Sequence, residues 1–136
     1  MLPLAVERWE VIANTRNYAL LDGLLADDVV FESPIVHTPQ IGAAITKKYL
    51  IAAVQVLGGP KARFVNHWLA DHSAVLELEA EVDGVKINAV DIISWNAEDR
   101  ITHFKVMVRP LKAINVLHQA MGRLLAADRG DVVAPQ

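Results

Sequence analysis

The pair Asp83-Gly84 stands between two long stretches in which apolar and polar residues alternate, and no other feature restricts the chain so tightly. An Asp-Gly dipeptide favours a two-residue turn with both residues left-handed, whose twist suits a β-hairpin. With that turn Val82 faces Val85, and every pair further out follows: Glu81 with Lys86, Ala80 with Ile87, Leu78 with Ala89, Leu76 with Asp91. Side chains two apart share a face of a strand. Leu76, Leu78, Ala80, Val82, Val85, Ile87, Ala89, Ile93 and Trp95 therefore form one apolar surface, broken by a single carboxylate, Asp91. Such a carboxylate is costly if ionised without partners, so Asp91 is expected to find donors or to hold its proton through a raised pKa. The outer side pairs Glu81 with Lys86, opposite charges across the strands.

The same count carries into the next run, where Thr102, Phe104, Val106 and Val108 share the inner face and His103, Lys105, Met107 and Arg109 the outer. Val90, Ile92 and Met107 make that exterior half apolar beside Glu77, Glu79, Asn88 and Lys105, which points to a subunit contact. Upstream, Val6, Trp9, Ile12 and Ala13 recur at helical spacing from Leu4 to about Ala13. Asn17 is a candidate cap for a second short helix, Tyr18 to Leu25, ahead of the β-rich Val29-Val30-Phe31, which Ser33-Pro34 stops. A third helix from Gly42 to Leu57 places Ile45, Tyr49, Ala53 and Val56 on one face and ends at Gly58-Gly59-Pro60. Residues Arg63 to Val108 read as strand. Leu111 to about Ala127 returns to helical spacing through Leu111, Ile114, Leu117, Met121 and Leu125, with Pro110 opening the first turn. Helices followed by strands on short turns indicate an α+β domain spanning 1-127, with a polar tail at 128-136 expected to fray.

With 53% hydrophobic and 21% charged residues, 136 residues suffice for one domain with its own core. A formal charge of −3 gives no electrostatic grip on phosphate backbones, so no nucleic acid is expected as partner. The absence of cysteine excludes disulfides, thiol nucleophiles and cysteine-bound zinc. Met1-Leu2-Pro3-Leu4-Ala5-Val6 has no basic region and soon meets Glu7 and Arg8, and no apolar run reaches membrane-span length. The expected setting is cytoplasmic, without membrane contact. No histidines stand at metal-binding helical spacing and the carboxylates are scattered, so no metal or other cofactor is expected.

The run Leu24-Leu25-Ala26-Asp27-Asp28-Val29-Val30-Phe31-Glu32-Ser33-Pro34, then Gly42 opening Ala43-Ala44-Ile45, the strand Val90-Asp91-Ile92 and Arg100-Ile101 before the last strand resembles the nuclear transport factor 2-like superfamily. Its SnoaL-like and ketosteroid isomerase-like branches are the nearest in pattern, and the likeness runs from about Arg8 to Arg109. The resemblance implies a cystatin-like cone: a strongly curved antiparallel sheet wrapped around N-terminal helices, here with a C-terminal helix added. It also implies an apolar interior for a small molecule and a homodimer through the sheet's outer face. Ketosteroid isomerases use a tyrosine and a protonated aspartic acid as oxyanion donors and an aspartate as base. Carried onto this chain, the acid matches Asp91, the tyrosine position falls on Trp9 and the base position on Ser33. A serine hydroxyl without its own base cannot abstract an α-proton at neutral pH, so ketosteroid isomerase activity is not expected. A SnoaL-like cyclase, which relies on an inward aspartate, remains consistent.

The expected site therefore has Asp91 as the catalytic candidate, Trp9 and Ser33 as further polar contacts, and Tyr49, Trp95, Phe104 and Val106 as walls. Tyr18 and Trp68 are other aromatic residues able to line it, although aromatic residues at this spacing more often fill a core. His37, in the loop after the first strand, and His67 are additional candidates. Strict alternation groups His67 with Val65 and Leu69 against Phe64, Asn66 and Trp68, and leaves open which set faces inward; an inward His67 could pair with Asp91. Two functions follow. One is a pocket protein binding a small hydrophobic molecule, with isomerase or cyclase type acid/base chemistry at Asp91. The other is a non-catalytic dimeric module whose pocket is filled by side chains, in which Asp91 is fully hydrogen-bonded internally.

Overall fold

The computed structural model describes residues 1–128, the last of these by its backbone alone, so the tail expected at 128-136 lies almost wholly outside the described residues. The chain runs α1 (Leu4–Thr15), a 3-10 turn (Tyr18–Leu20), α2 (Leu21–Leu24), β1 (Leu25–Glu32), β2 (Gln40–Ile41) and α3 (Ala43–Leu57). Then come β3 (Arg63–Leu69), β4 (Ser73–Val82), β5 (Val85–Trp95), β6 (Ile101–Arg109) and α4 (Leu111–Asp128). Six strands form one open sheet in the order β2-β1-β6-β5-β4-β3. All neighbours are antiparallel except β1 and β6, which run parallel, so the sheet is mixed at that one seam.

The β4–β5 hairpin has the register read from its turn, from Val82 opposite Val85 out to Leu76 opposite Asp91 and Ser73 opposite Ser94. Asp83 and Gly84 both have positive φ, at 51° and 78°, as a twisted two-residue turn requires. The core side of the sheet carries Leu76, Leu78, Ile87, Ala89, Ile93 and Trp95, all buried, and packs against α1 through Val6, Trp9, Ile12 and Ala13.

Strict alternation fails in β1, where the pairing with β6 shifts between Leu25 and Val30, and at two bulges further on. Phe64 pairs with Leu78 but Asn66 with Glu77, leaving Val65 as an extra residue that shifts the parity of β3. Both Phe64 and His67 consequently face inward, although alternation separates them. A second bulge between Ser94 and Trp95 skips Thr102, so Ile101, wholly buried, takes the inner place and the Thr102 hydroxyl donates to the Ser94 carbonyl. In α3 the fully buried residues are Thr46, Leu50, Ala52, Val54 and Leu57, while the stripe through Ile45, Tyr49, Ala53 and Val56 is half-buried, Tyr49 packing against the main core and Val56 against the second cluster. The helix is apolar on most sides, and only Lys47, Lys48 and Gln55 mark its outer surface.

Two joints set the position of α1 and α2. The Arg16 guanidinium donates to the carbonyls of Gln55 and Gly58, while the Gly59 amide donates to the Ala13 carbonyl, tying the end of α1 to the end of α3. Arg100 donates to the Asp22 and Leu25 carbonyls at the start of β1. Asn17 makes no side-chain cap; its amide donates to the Thr15 hydroxyl. α4 follows a cis Arg109–Pro110 bond and sets Ala113 and Leu117 against Leu57 and Ile87, a second cluster beside the hairpin tip. No helix among the described residues is long and apolar enough to cross a membrane.

Candidate functional site

Asp91 projects from the middle of β5 onto the core side of the sheet, where it is 4% exposed. Its neighbours across the strands are Leu76 and Val106, neither able to donate a side-chain hydrogen bond. α1 supplies the partner: the Trp9 indole N–H donates to Oδ2 at 3.0 Å. Trp9 is itself fixed by an edge-to-face contact with Phe104, centroids 4.8 Å apart. Burial pushes the Asp91 carboxyl up to about 7; the Trp9 hydrogen bond opposes that rise and the nearby charge of Glu10 adds to it. At neutral pH the group thus stands between acid and carboxylate, able to donate a proton or to accept one.

A narrow cavity of about 40 Å³ adjoins the carboxyl. Trp9 and Ala13 of α1, Leu50, Ala53, Val54 and Leu57 of α3, Gly58 and Ala62 of the connection, and Phe64, Leu78, Phe104 and Val106 of the sheet enclose it with Asp91. Apart from the Trp9 indole, already committed to Asp91, and backbone groups, the carboxyl is the polar function on this wall. The space admits a few waters, against the roughly 300–1,000 Å³ of pockets that hold drug-sized ligands.

Of the residues singled out in the sequence, Trp9, Asp91, Phe104 and Val106 meet at this cavity, and Ser33, Tyr49, Trp95, His37 and His67 are not among its walls. The Ser33 hydroxyl accepts from the amides of Ile35 and Val36, at 2.9 and 3.2 Å, and so shapes the turn after β1. Tyr49 packs its ring 5.7 Å from that of Phe31. Trp95 is buried in the core, while His37 is exposed. His67 faces inward but pairs with Glu10, Nε2 to Oε2 at 2.5 Å, and not with Asp91. Glu10 escapes sequence reasoning because helical periodicity counts it as a solvent residue; only the β3 bulge and the docking of α1 bring it to His67. No cluster of three metal-binding side chains exists among the described residues.

A solved steroid delta-isomerase from Pseudomonas aeruginosa is 30% identical to this chain, with 93% of this chain and 92% of that one covered and a TM-score of 0.86. The chain belongs to the nuclear transport factor 2-like superfamily. An uncharacterised bacterial protein with a cystatin-like fold from Silicibacter pomeroyi is 24% identical over 93% and 89% of the two chains, also at TM-score 0.86. A nuclear transport factor 2-like protein from Mesorhizobium loti shares the fold at 18% identity and TM-score 0.67, over 78% and 88%. No protein-family model matches the chain, and no curated protein matches it by sequence. In this nuclear transport factor 2-like protein the buried Asp91 is tied to an indole, and Ser33 serves its own loop.

Proposed function

We propose that the protein binds a compact apolar molecule carrying one acceptor oxygen, with the neutral Asp91 carboxyl donating to that oxygen. The observation that carries this reading is a buried carboxyl on an otherwise apolar cavity wall with a single side-chain donor, Trp9, among the described residues. A structural aspartate would be expected to have its acceptor sites filled. The relative named as a steroid delta-isomerase supports a cyclic apolar ligand, and the cavity volume favours one smaller than a steroid or one whose entry moves Leu57, Gly58 and Ala62 outward. If the ligand's oxygen gains negative charge as it reacts, Asp91 stabilises it and can deliver and recover a single proton, the acid/base work of an isomerase or cyclase.

The test combines two measurements. Native mass spectrometry of freshly purified protein, followed by denaturation, identifies any compound carried from the cell. Titration with 2-cyclohexenone, followed at the Trp9 indole N–H signal, is expected to show binding at pH 5.5 that weakens at least tenfold at pH 8.5. No released compound together with no shift at either pH defeats the proposal. For turnover, Asp91→Asn retains a donor but cannot transfer a proton, so binding survives while catalysis is lost.

The small cavity also favours a second reading, a non-catalytic association module filled by its own side chains. On either reading we propose a homodimer through the outer sheet face, where Val65, Trp68 and Met107 are exposed beside half-buried Val75, Val90 and Ile92. Around these lie polar groups already paired within the chain, such as Glu77 with Asn66 and Asn88, and Glu32 with His103. Paired polar groups cost less to cover than free ones.

A further inference from the structure

Three titratable groups, Asp91, His67 and Glu10, meet where α1 crosses the core side of the sheet, and the cavity uses one of them. His67, Leu76, Asp91 and Val106 lie in a single row across β3, β4, β5 and β6. α1 crosses this row, and its consecutive residues Trp9 and Glu10 reach Asp91 and His67 respectively. His67 and Asp91 are thus two strand spacings apart, on the order of 10 Å. The Glu10 and His67 side chains are 16% and 26% exposed, so the pair reaches solvent while Asp91 lies inside.

We propose that Glu10 and His67 are positioning residues for the proton on Asp91, the three side chains forming one electrostatically linked set around Trp9. With His67 neutral, Glu10 leaves a net negative charge beside Asp91 and the carboxyl keeps its proton. With His67 protonated, that charge is compensated and Asp91 gives its proton up. The neutral Asp91 with neutral His67 and anionic Glu10 sums to −1; ionised Asp91 with imidazolium and anionic Glu10 sums to −1 as well. The two protonation states therefore carry the same net charge. Among the described residues no other charged side chain faces Asp91: its strand neighbours are Leu76 and Val106, and α3 presents Leu50 and Val54. The inference stands whether or not the cavity takes a ligand.

The experiment follows the Asp91 side-chain carboxyl by carbon-13 NMR from pH 4 to 10 in the intact protein and in Glu10→Gln, His67→Gln and His67→Asn. Coulomb attraction over this distance at an effective dielectric near 20 corresponds to a displacement of about one pH unit. Glu10→Gln is expected to move the Asp91 midpoint down, and both His67 variants to move it up, because each leaves Glu10 uncompensated. A merely structural role would loosen the packing, admit water and move every variant down. Displacement of all variants in one direction, or of none, overturns the proposal. The two His67 replacements differ in length, so a packing effect peculiar to one is exposed by the other.

Discussion

Replacing Asp91 by asparagine should make the protein more stable at alkaline pH while leaving it nearly unchanged at acid pH. In the native state the carboxyl titrates near 7, against 3.8 for the ordinary group, so the folded protein holds this proton more tightly than the unfolded chain does. A group raised in this way contributes its stability in full below the unfolded value and loses it as pH climbs through the folded one. Each unit is worth about 1.36 kcal/mol, so a rise from 3.8 to about 7 amounts to a loss on the order of 4 kcal/mol across that window. The asparagine that replaces Asp91 cannot ionise, and its amide oxygen still accepts from the Trp9 indole. Urea unfolding of both proteins at pH 5 and pH 8.5 isolates the effect, because titrating groups common to both cancel in the difference between them. Over that interval the variant is expected to gain about 3 kcal/mol on the wild type, the share of the loss that falls above pH 5. An unchanged difference would refute the argument that burial governs this carboxyl.

Trp9→Phe removes the donor to Asp91 and should cost about 1–3 kcal/mol, more at pH 8.5 than at pH 5, because the bond to a carboxylate is the stronger one; the same unfolding series reads it. Met107→Glu on the outer sheet face is expected to turn a dimer into a monomer in analytical ultracentrifugation, and a wild-type monomer would end the interface proposal. At Gly58 an added Cβ would lie 2.5 Å from the Ala13 carbonyl oxygen and 2.7 Å from that of Val54, both backbone atoms. Gly58→Ala should therefore force α1 and α3 apart and lower the melting temperature measured by calorimetry, by about 4 °C for each kcal/mol lost.

The hairpin is fully legible because a two-residue turn leaves one register, and that register alone makes Asp91 stand out. α1 is legible too, its buried stripe Val6, Trp9, Ile12 and Ala13 being narrow and flanked by charge. What escapes has physical causes. α3 is apolar nearly all round, so its inward face is chosen by the sheet it meets, and even Thr46 is buried there. The bulges at Val65 and Thr102 change parity with no residue type that announces them. The resemblance draws Ser33, and the loop after β1 draws His37, toward the cavity, yet the serine hydroxyl finds two backbone amides close by, and local partners win over distant ones. The pairing of Glu10 with His67 joins residues 57 positions apart and depends on both the bulge and the docking of α1.

The extra residue in β3 bears on how this chain should be compared with its relatives. Because Val65 is the residue left without a partner, a chain lacking it could run through the same strand in unbroken alternation, with Phe64 and His67 still turned inward and Asn66 still outward. A one-residue gap there is neutral in space though it looks disruptive in an alignment. Conversely, a gap-free alignment to a relative without the bulge would set His67 opposite an outward residue. Equivalences for this half of the sheet are better drawn through the rungs of the ladder than through the columns of a sequence.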